Sequence, residues 1–246
     1  HRVQLRGQLP GHTMNDYQMA ELKIALASRA DGHNRPILED RDRAILDIGC
    51  GVGQTFIAWR DVDGHQVCRR FCVGMDVDAA AIRSIIDANR GQFHGVLQGA
   101  EHIPYPDDTF DLVMSRVSLP YTDIPKVLRE IRRVLKPGGR VWMTLHSRER
   151  ALADLRAAKG IKATLQRAYV LANGYCLNWF GFLVPAGSKV ESWQDTDWMI
   201  EQIERLGFKA TSNTVDGHTV IEGRLLYEAA GTDNRTEAQK WRDDAW

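Results

Sequence analysis

What this chain is short of narrows it first. Its 246 residues include four cysteines, Cys50, Cys68, Cys72 and Cys176, too few to staple a chain of this length as a disulfide scaffold. It has no net charge, with 32 Lys plus Arg against 32 Asp plus Glu. Proteins that live on phosphate contacts carry an excess of basic residues, so the balance argues against a nucleic-acid partner. No basic, apolar and small-residue signal segment opens the sequence, which starts at His1, and a cytoplasmic location is expected. A membrane span takes about 20 predominantly apolar residues. The nearest approach is Ala168 to Ser188, 21 residues without a charge, but Asn173, Gly174, Asn178, Gly181, Pro185 and Gly187 interrupt it. No transmembrane segment is expected.

What is present is a soluble composition, 43% apolar and 26% charged, close to globular averages. Met14 to Ala30 carries apolar residues at mostly helical spacing and predicts a helix, followed by a polar linker to Arg43. Short apolar runs at Ala44–Ile48, Phe71–Val77, His94–Gln98, Phe110–Ser115 and Arg140–Leu145 predict five buried strands. Between them, Asp78 caps a helix running to Arg90 and Asp123 caps one from Ile124 to Leu135, which Lys136-Pro137-Gly138-Gly139 stops. Strands alternating with helices imply a parallel sheet covered on both faces. About 49 residues then separate the fifth strand from a helix at Asp195–Leu206, too many for a plain connection. Strands at Phe208–Val215 and Arg224–Ala229, turning near Asp216-Gly217, complete the order. Residues 1–43 thus read as an N-terminal helical segment and linker, 44–230 as one domain with an insertion at about 147–194, and 231–246 as a polar tail.

The strongest local signal is Asp47-Ile48-Gly49-Cys50-Gly51-Val52-Gly53. A buried strand delivers a carboxylate and three alternating glycines into a tight turn that opens a helix, so a ligand can touch backbone. Asp76 ends the second strand, 23 residues beyond Gly53, near where nucleotide-binding sheets place the acid that grips a ribose. The dinucleotide fingerprint needs a further glycine where Gln54 stands. A phosphate on the helix N-terminus is therefore less well supported than a ligand with an amino-acid end.

Four motifs together, Asp47 to Gly53, Gly74-Met-Asp76, Ala100 to Asp111 and Leu135 to Gly139, resemble the class I S-adenosylmethionine-dependent methyltransferases. The nearest look is to the small-molecule branch of ubiquinone and menaquinone type. The resemblance implies an α/β fold, a Rossmann-like doubly wound seven-stranded sheet with an antiparallel last strand and an inserted lid. It implies S-adenosyl-L-methionine as cofactor and no metal. Asp47 and Gly49 would hold its methionine end, with Ser115 beside them, and Gly51 and Gly53 would give the close turn. Asp76 would bind the ribose; Val77, Ala100, Glu101 and Ile103 would meet the adenine. One departure is Gly99, where the family usually has an Asp; Glu101 or a water would then take the adenine amino group.

Other candidates stay open. Tyr121 either faces the methyl donor or packs a helix entry, and His146 is either a general base or structural. Ser118-Leu-Pro-Tyr121 is a poor copy of the tetrad of amine methyltransferases. Cys68 and Cys72 alone make a weak metal pair. Within the insertion, Tyr169, Tyr175, Trp179 and Phe182 either line a pocket for an apolar or aromatic acceptor or pack the lid. Surface contact with a membrane is the lesser reading of that run. The expected activity is methyl transfer to a small molecule at oxygen or carbon. A non-catalytic cofactor-binding regulator or assembly protein is the alternative, and a nicotinamide oxidoreductase a further rival.

Overall fold

A computed structural model describes residues 8–9, 12–13, 16–26, 34–62, 67, 69–88, 93–186, 190–215 and 218–227. Cys68, the Asp216-Gly217 turn, the tail from Gly231 and the ends of the first helix expected at Met14 and Ala30 lie outside them. Strands β1 (Gln8–Leu9) and β2 (His12–Thr13) pair with each other and precede helix α1 (Asp16–Leu26). The main body then runs β3 (Ala44–Ile48), α2 (Gln54–Val62), β4 (Phe71–Asp76), α3 (Ala79–Ala88), β5 (Phe93–Leu97) and β6 (Phe110–Ser115). It continues through α4 (Ile124–Val134), β7 (Leu135–Leu145), α5 (Arg148–Ala157), α6 (Ile161–Phe180), α7 (Thr196–Arg205), β8 (Phe208–Val215) and β9 (His218–Leu225).

Seven strands form one sheet in the order β5-β4-β3-β6-β7-β9-β8, and β9 is the strand that runs against its neighbours. Alternation along β3 shows why it sits at the centre. Leu46 and Ile48 enter the apolar core under α4 and α7, whereas Ile45 enters the core under α2 and α3. A strand buried on both faces needs a continuous apolar run, and Ala44–Ile48 interrupts that run with one acid, Asp47.

Two expectations shift. Pairing with β6 starts already at Leu135, so Lys136 to Gly139 lies inside β7 as a register shift rather than before it. The last strand is His218–Leu225, not Arg224–Ala229, and its pairing with β8 runs from Val215 opposite His218 to Phe208 opposite Leu225.

Residues 34–43 are bound tightly to the end of the sheet where the parallel strands begin. Arg35 donates to the Ala25 carbonyl, Trp59 Nε1 to Pro36, and Arg70 Nη1 to the carbonyls of Glu39 and Asp42. Asp42 is fully buried and pairs with Arg140, while Glu39 pairs with both Arg140 and Arg224. Asp111 accepts from the Arg43 and Ala44 amides and from Lys136 Nζ at 2.8 Å.

The long insertion is mostly helical. Helices α5 and α6 pack on each other, and residues 191–195 form a strap that stitches α6 to the body. Asn173 donates to Glu191 O, Asn178 to Trp193 O, and Trp193 Nε1 to Leu171 O at 2.9 Å. On its other side the strap bonds the body, Ser192 N to Pro120 O and Gln194 N to His146 O. Gly174 is where helix and strap touch: a Cβ there would lie 2.1 Å from the Trp193 indole.

Candidate functional site

The strand order reverses between β3 and β6, and in open α/β sheets ligands bind at such a switch point, outside the carboxyl ends of the strands. A cleft of about 400 Å³ lies there. Its floor is the turn after β3. Gly49 N and Cys50 N both donate to Met75 O, at 2.8 and 3.1 Å, which ties that turn across to β4. Gly49 has φ +68, and a Cβ on it would lie 2.1 Å from Ser118 Cβ. Only glycine fits that left-handed backbone against its neighbour.

Of the carboxylates that face the cleft, Asp76 and Asp47 have different fates. Asp76 is held in place, accepting from Gly51 N at 2.9 Å and from Asp78 N at 2.9 Å. Asp47 is 2% exposed and its Oδ1 has no hydrogen-bond partner. Burial pushes the Asp47 carboxyl well above its ordinary range; Arg116 opposes that shift and Asp76 adds to it. Such a group gains by meeting a cation that brings its own hydrogen bonds. Cys50 also lines the cleft, and burial beside Asp47 and Asp76 raises its thiol pKa well above normal, so it stays protonated.

Most sequence-derived cofactor residues meet here. Asp47, Gly49, Gly51, Asp76, Val77, Ala100 and Glu101 line the cleft. Val77 is 75% exposed at its rim, an apolar surface waiting at the end of a strand. Gly53 shapes the turn from behind, with φ +81 and its α-carbon facing Ile85. Ile103 is fully buried in the core under the floor and is not part of the lining. Ser115 is buried too, bonded to Ser118 Oγ at 2.6 Å. The departure at Gly99 has a structural counterpart. Glu101 Oε2 stands 3.1 Å from where a Gly99 Cβ would be, and Glu101 Oε1 accepts from Asp123 N, the cap of α4.

Tyr121 lines the cleft, half exposed, at the end of a one-turn helix, Leu119–Tyr121. His146 does not reach the cleft. It stands behind Tyr121, ring centroids 6.1 Å apart and nearly perpendicular, in a small pit with Arg150, Asp154, Arg167 and Glu191. The four aromatic residues expected to form an acceptor pocket are elsewhere. Tyr169 donates to Val184 O, Tyr175 packs between Trp179 and Trp193, and Trp179 and Phe182 are exposed. Nothing places any of them in the cleft lining. The reason is that α6 turns its Val170, Asn173, Gly174 and Leu177 side inward.

Sequence reading missed Arg116 and Val117. Arg116 follows β6, donates to the Asn34 carbonyl and lines the cleft. Val117 has φ +58, a left-handed conformation that costs a β-branched residue energy and that gathers at ligand sites. Its amide donates to Thr144 Oγ1. Arg133 clamps the loop after Glu101, donating to Ile103 O and Tyr105 O while paired with Glu130.

Comparison with known proteins agrees with this geometry. Residues 46–143 match a family described as a methyltransferase domain. In this match and in its strand order the chain is similar to the class I S-adenosylmethionine-dependent methyltransferases. It is 36% identical over 107 residues to the ubiquinone/menaquinone biosynthesis C-methyltransferase UbiE of Vibrio parahaemolyticus, covering 39% of each chain. It is 31% identical over 143 residues to a malonyl-[acyl-carrier protein] O-methyltransferase of Erwinia pyrifoliae, covering 57% of this chain and 50% of that one. A solved S-adenosylmethionine-dependent methyltransferase from Methanosarcina mazei shares the fold at a TM-score of 0.54 and 19% identity, over 82% of this chain and 99% of that one. The matches span between a third and a half of the curated relatives' own length.

The residues present suit this cofactor. A methionine end would bring an ammonium to the orphaned Asp47 Oδ1 and a carboxylate to a cleft holding the Arg116 guanidinium. A ribose diol suits Asp76, and an adenine suits Val77 with the Glu101 carboxylate near its edge. The cleft is therefore acidic and apolar-rimmed, and no helix among the described residues is long and apolar enough to cross a membrane.

Proposed function

We propose that this protein methylates a small molecule with an apolar or aromatic body, at oxygen or carbon, using S-adenosyl-L-methionine. The observation that carries the reading is the partnerless Asp47 oxygen beside Gly49 and Asp76, at the switch point of the sheet. When bound, the cofactor supplies a methyl group already activated on a sulfonium. The chain's own residues then have three tasks. Asp47 and Arg116 hold the two charges of an amino-acid end, with Asp76 and Glu101 fixing the nucleoside. The Gly49 turn brings backbone close, and Val77, Val117 and Tyr121 wall the rim against water. Tyr121 orients the acceptor: burial raises its pKa, so at neutral pH it works as a neutral hydrogen-bonding phenol. His146 is a positioning residue that backs the Tyr121 ring. Proximity and orientation supply much of the acceleration in such a reaction.

The O- and C-methyltransferases among the relatives support either atom. A neutral chain supports a small-molecule acceptor over nucleic acid, in the cytoplasm. The test is a turnover screen of quinone, phenol and fatty-acyl acceptors, read as one methyl mass shift per S-adenosylhomocysteine formed. Cofactor binding without turnover of any acceptor class would favour the non-catalytic regulator. Binding of NAD in place of S-adenosylmethionine would overturn the cofactor reading as well.

A further inference from the structure

Helix α6 carries its apolar residues on the wrong side for a helix that packs on a body. Helical residues three and four apart share a face. Ile161, Leu165, Ala168, Ala172, Tyr175, Cys176 and Trp179 follow that spacing through 19 residues, about 27 Å of helix. This row lies opposite Val170, Asn173, Gly174 and Leu177, the side buried against the strap and body. The outward row is the more apolar of the two. Ile161 is 81% exposed, Leu165 66% and Trp179 71%, and the exposed Phe180 and Phe182 stack beside its end. Tyr175 touches Trp193 of the strap, while Ile161, Leu165, Ala168, Ala172 and Trp179 stand exposed along the row.

The charge around the row is one-sided. From Leu155 to Ala186 there are four basic residues, Arg156, Lys159, Lys162 and Arg167, and no acidic one, in a chain with no net charge. Arg167 is paired with Glu191, and Arg156, Lys159 and Lys162 form no ion pair among the described residues. Unpaired basic groups flanking an exposed apolar row with aromatic residues at its end match the chemistry of helices that lie in a membrane interface. A second copy of the chain seated there would bring the same unmatched basic groups to the seam, with no acid to meet them.

We propose that α6 is a docking face for an anionic lipid surface, with Lys159 and Lys162 meeting headgroups and Leu165 and Trp179 entering the acyl boundary. This does not depend on the proposed reaction, because it is read as binding. The experiment is flotation of the full chain with phosphatidylcholine vesicles, with and without phosphatidylglycerol. The expected result is binding that requires phosphatidylglycerol, weakens in high salt, and falls about fivefold for each of Lys159→Gln and Lys162→Gln. Leu165→Ser, at an exposed position, should also release the protein while leaving its S-adenosylmethionine affinity intact. Brominated lipid should quench the wild-type fluorescence and quench Trp179→Phe less. Failure to float, equal binding to neutral vesicles, or quenching unchanged in Trp179→Phe would overturn the proposal. So would a stable dimer in solution that Leu165→Ser splits, since the face would then belong to a second copy.

Discussion

The two ends of the sheet use the same kind of residue for opposite purposes. Where the parallel strands begin, Glu39, Asp42 and Asp111 each sit against arginine or lysine. Asp42 Oδ1 and Arg140 Nε lack hydrogen bonds even there, but both belong to groups already paired with the opposite charge. Where the strands finish, Asp47 is buried with an oxygen that meets nothing, and Arg116 is the one cation lining the cleft with it. One end spends its charges on holding the fold, and the other keeps a charge unmatched for a ligand. Their pH dependence differs in sign. Burial alone would raise the Glu39 pKa, but Arg41, Arg140 and Arg224 outweigh it and the net shift is downward. Its contribution to stability is therefore present above the ordinary carboxylate range and lost as pH falls. The Asp47 pKa is raised, so its contribution is present at low pH and is lost as pH rises toward the elevated value.

That contrast can be broken at either end. The largest effect is expected from Arg140→Met, which strands Asp42 without its cation and should cost about 3–5 kcal/mol in urea unfolding. Cofactor affinity of the folded protein should stay near wild type; a matching loss of affinity would mean the two ends are not separable. Next, Asp76→Ala should weaken S-adenosylmethionine binding by about 1.5–3 kcal/mol in calorimetry, on the scale of charged hydrogen bonds. Unchanged affinity would remove Asp76 from the site. Asp47→Asn should raise the melting temperature of the free protein by a few degrees at pH values above the ordinary carboxylate range and weaken cofactor binding. In the wild type, affinity should climb with pH as Asp47 ionises, and the variant should flatten that climb; a parallel climb would assign it to another group. The smallest effect is Tyr121→Phe, expected to lower kcat about tenfold or less through lost orientation with cofactor Kd unchanged. A large change in Kd instead would make Tyr121 part of the cofactor cradle.

The sheet and the turn that floors the cleft were legible because their signals are local. A buried strand ending in Asp-x-Gly-x-Gly-x-Gly writes its own turn, and Asp76 announces itself at the end of the next strand. The lid helices were not legible for a physical reason. Helix α6 is apolar on both sides, has Asn173 and Gly174 on its inner one and lacks charge over its second half, so no amphipathic period marks it. Arg116 was invisible because its place in the cleft depends on the left-handed turn at Val117, which a β-branched residue does not advertise. The last strand was placed too late because Arg224 to Ala229 was taken as the apolar run, whereas the strand pairs from His218 through Thr219, Val220 and Ile221.

The contact between Gly174 and the Trp193 indole has a consequence for how this scaffold could change what it binds. The indole bonds the Leu171 carbonyl, and the strap that carries it also grips Pro120 and His146. Lid, strap and the lip beside Tyr121 thus behave as one mechanical part. A lid borrowed from a relative would fit only if residues 190–195 travelled with it. Gradual drift in α6 would be felt at Tyr121 long before any side chain on α6 touched an acceptor, so new specificities in this scaffold should arise by exchange of the whole part.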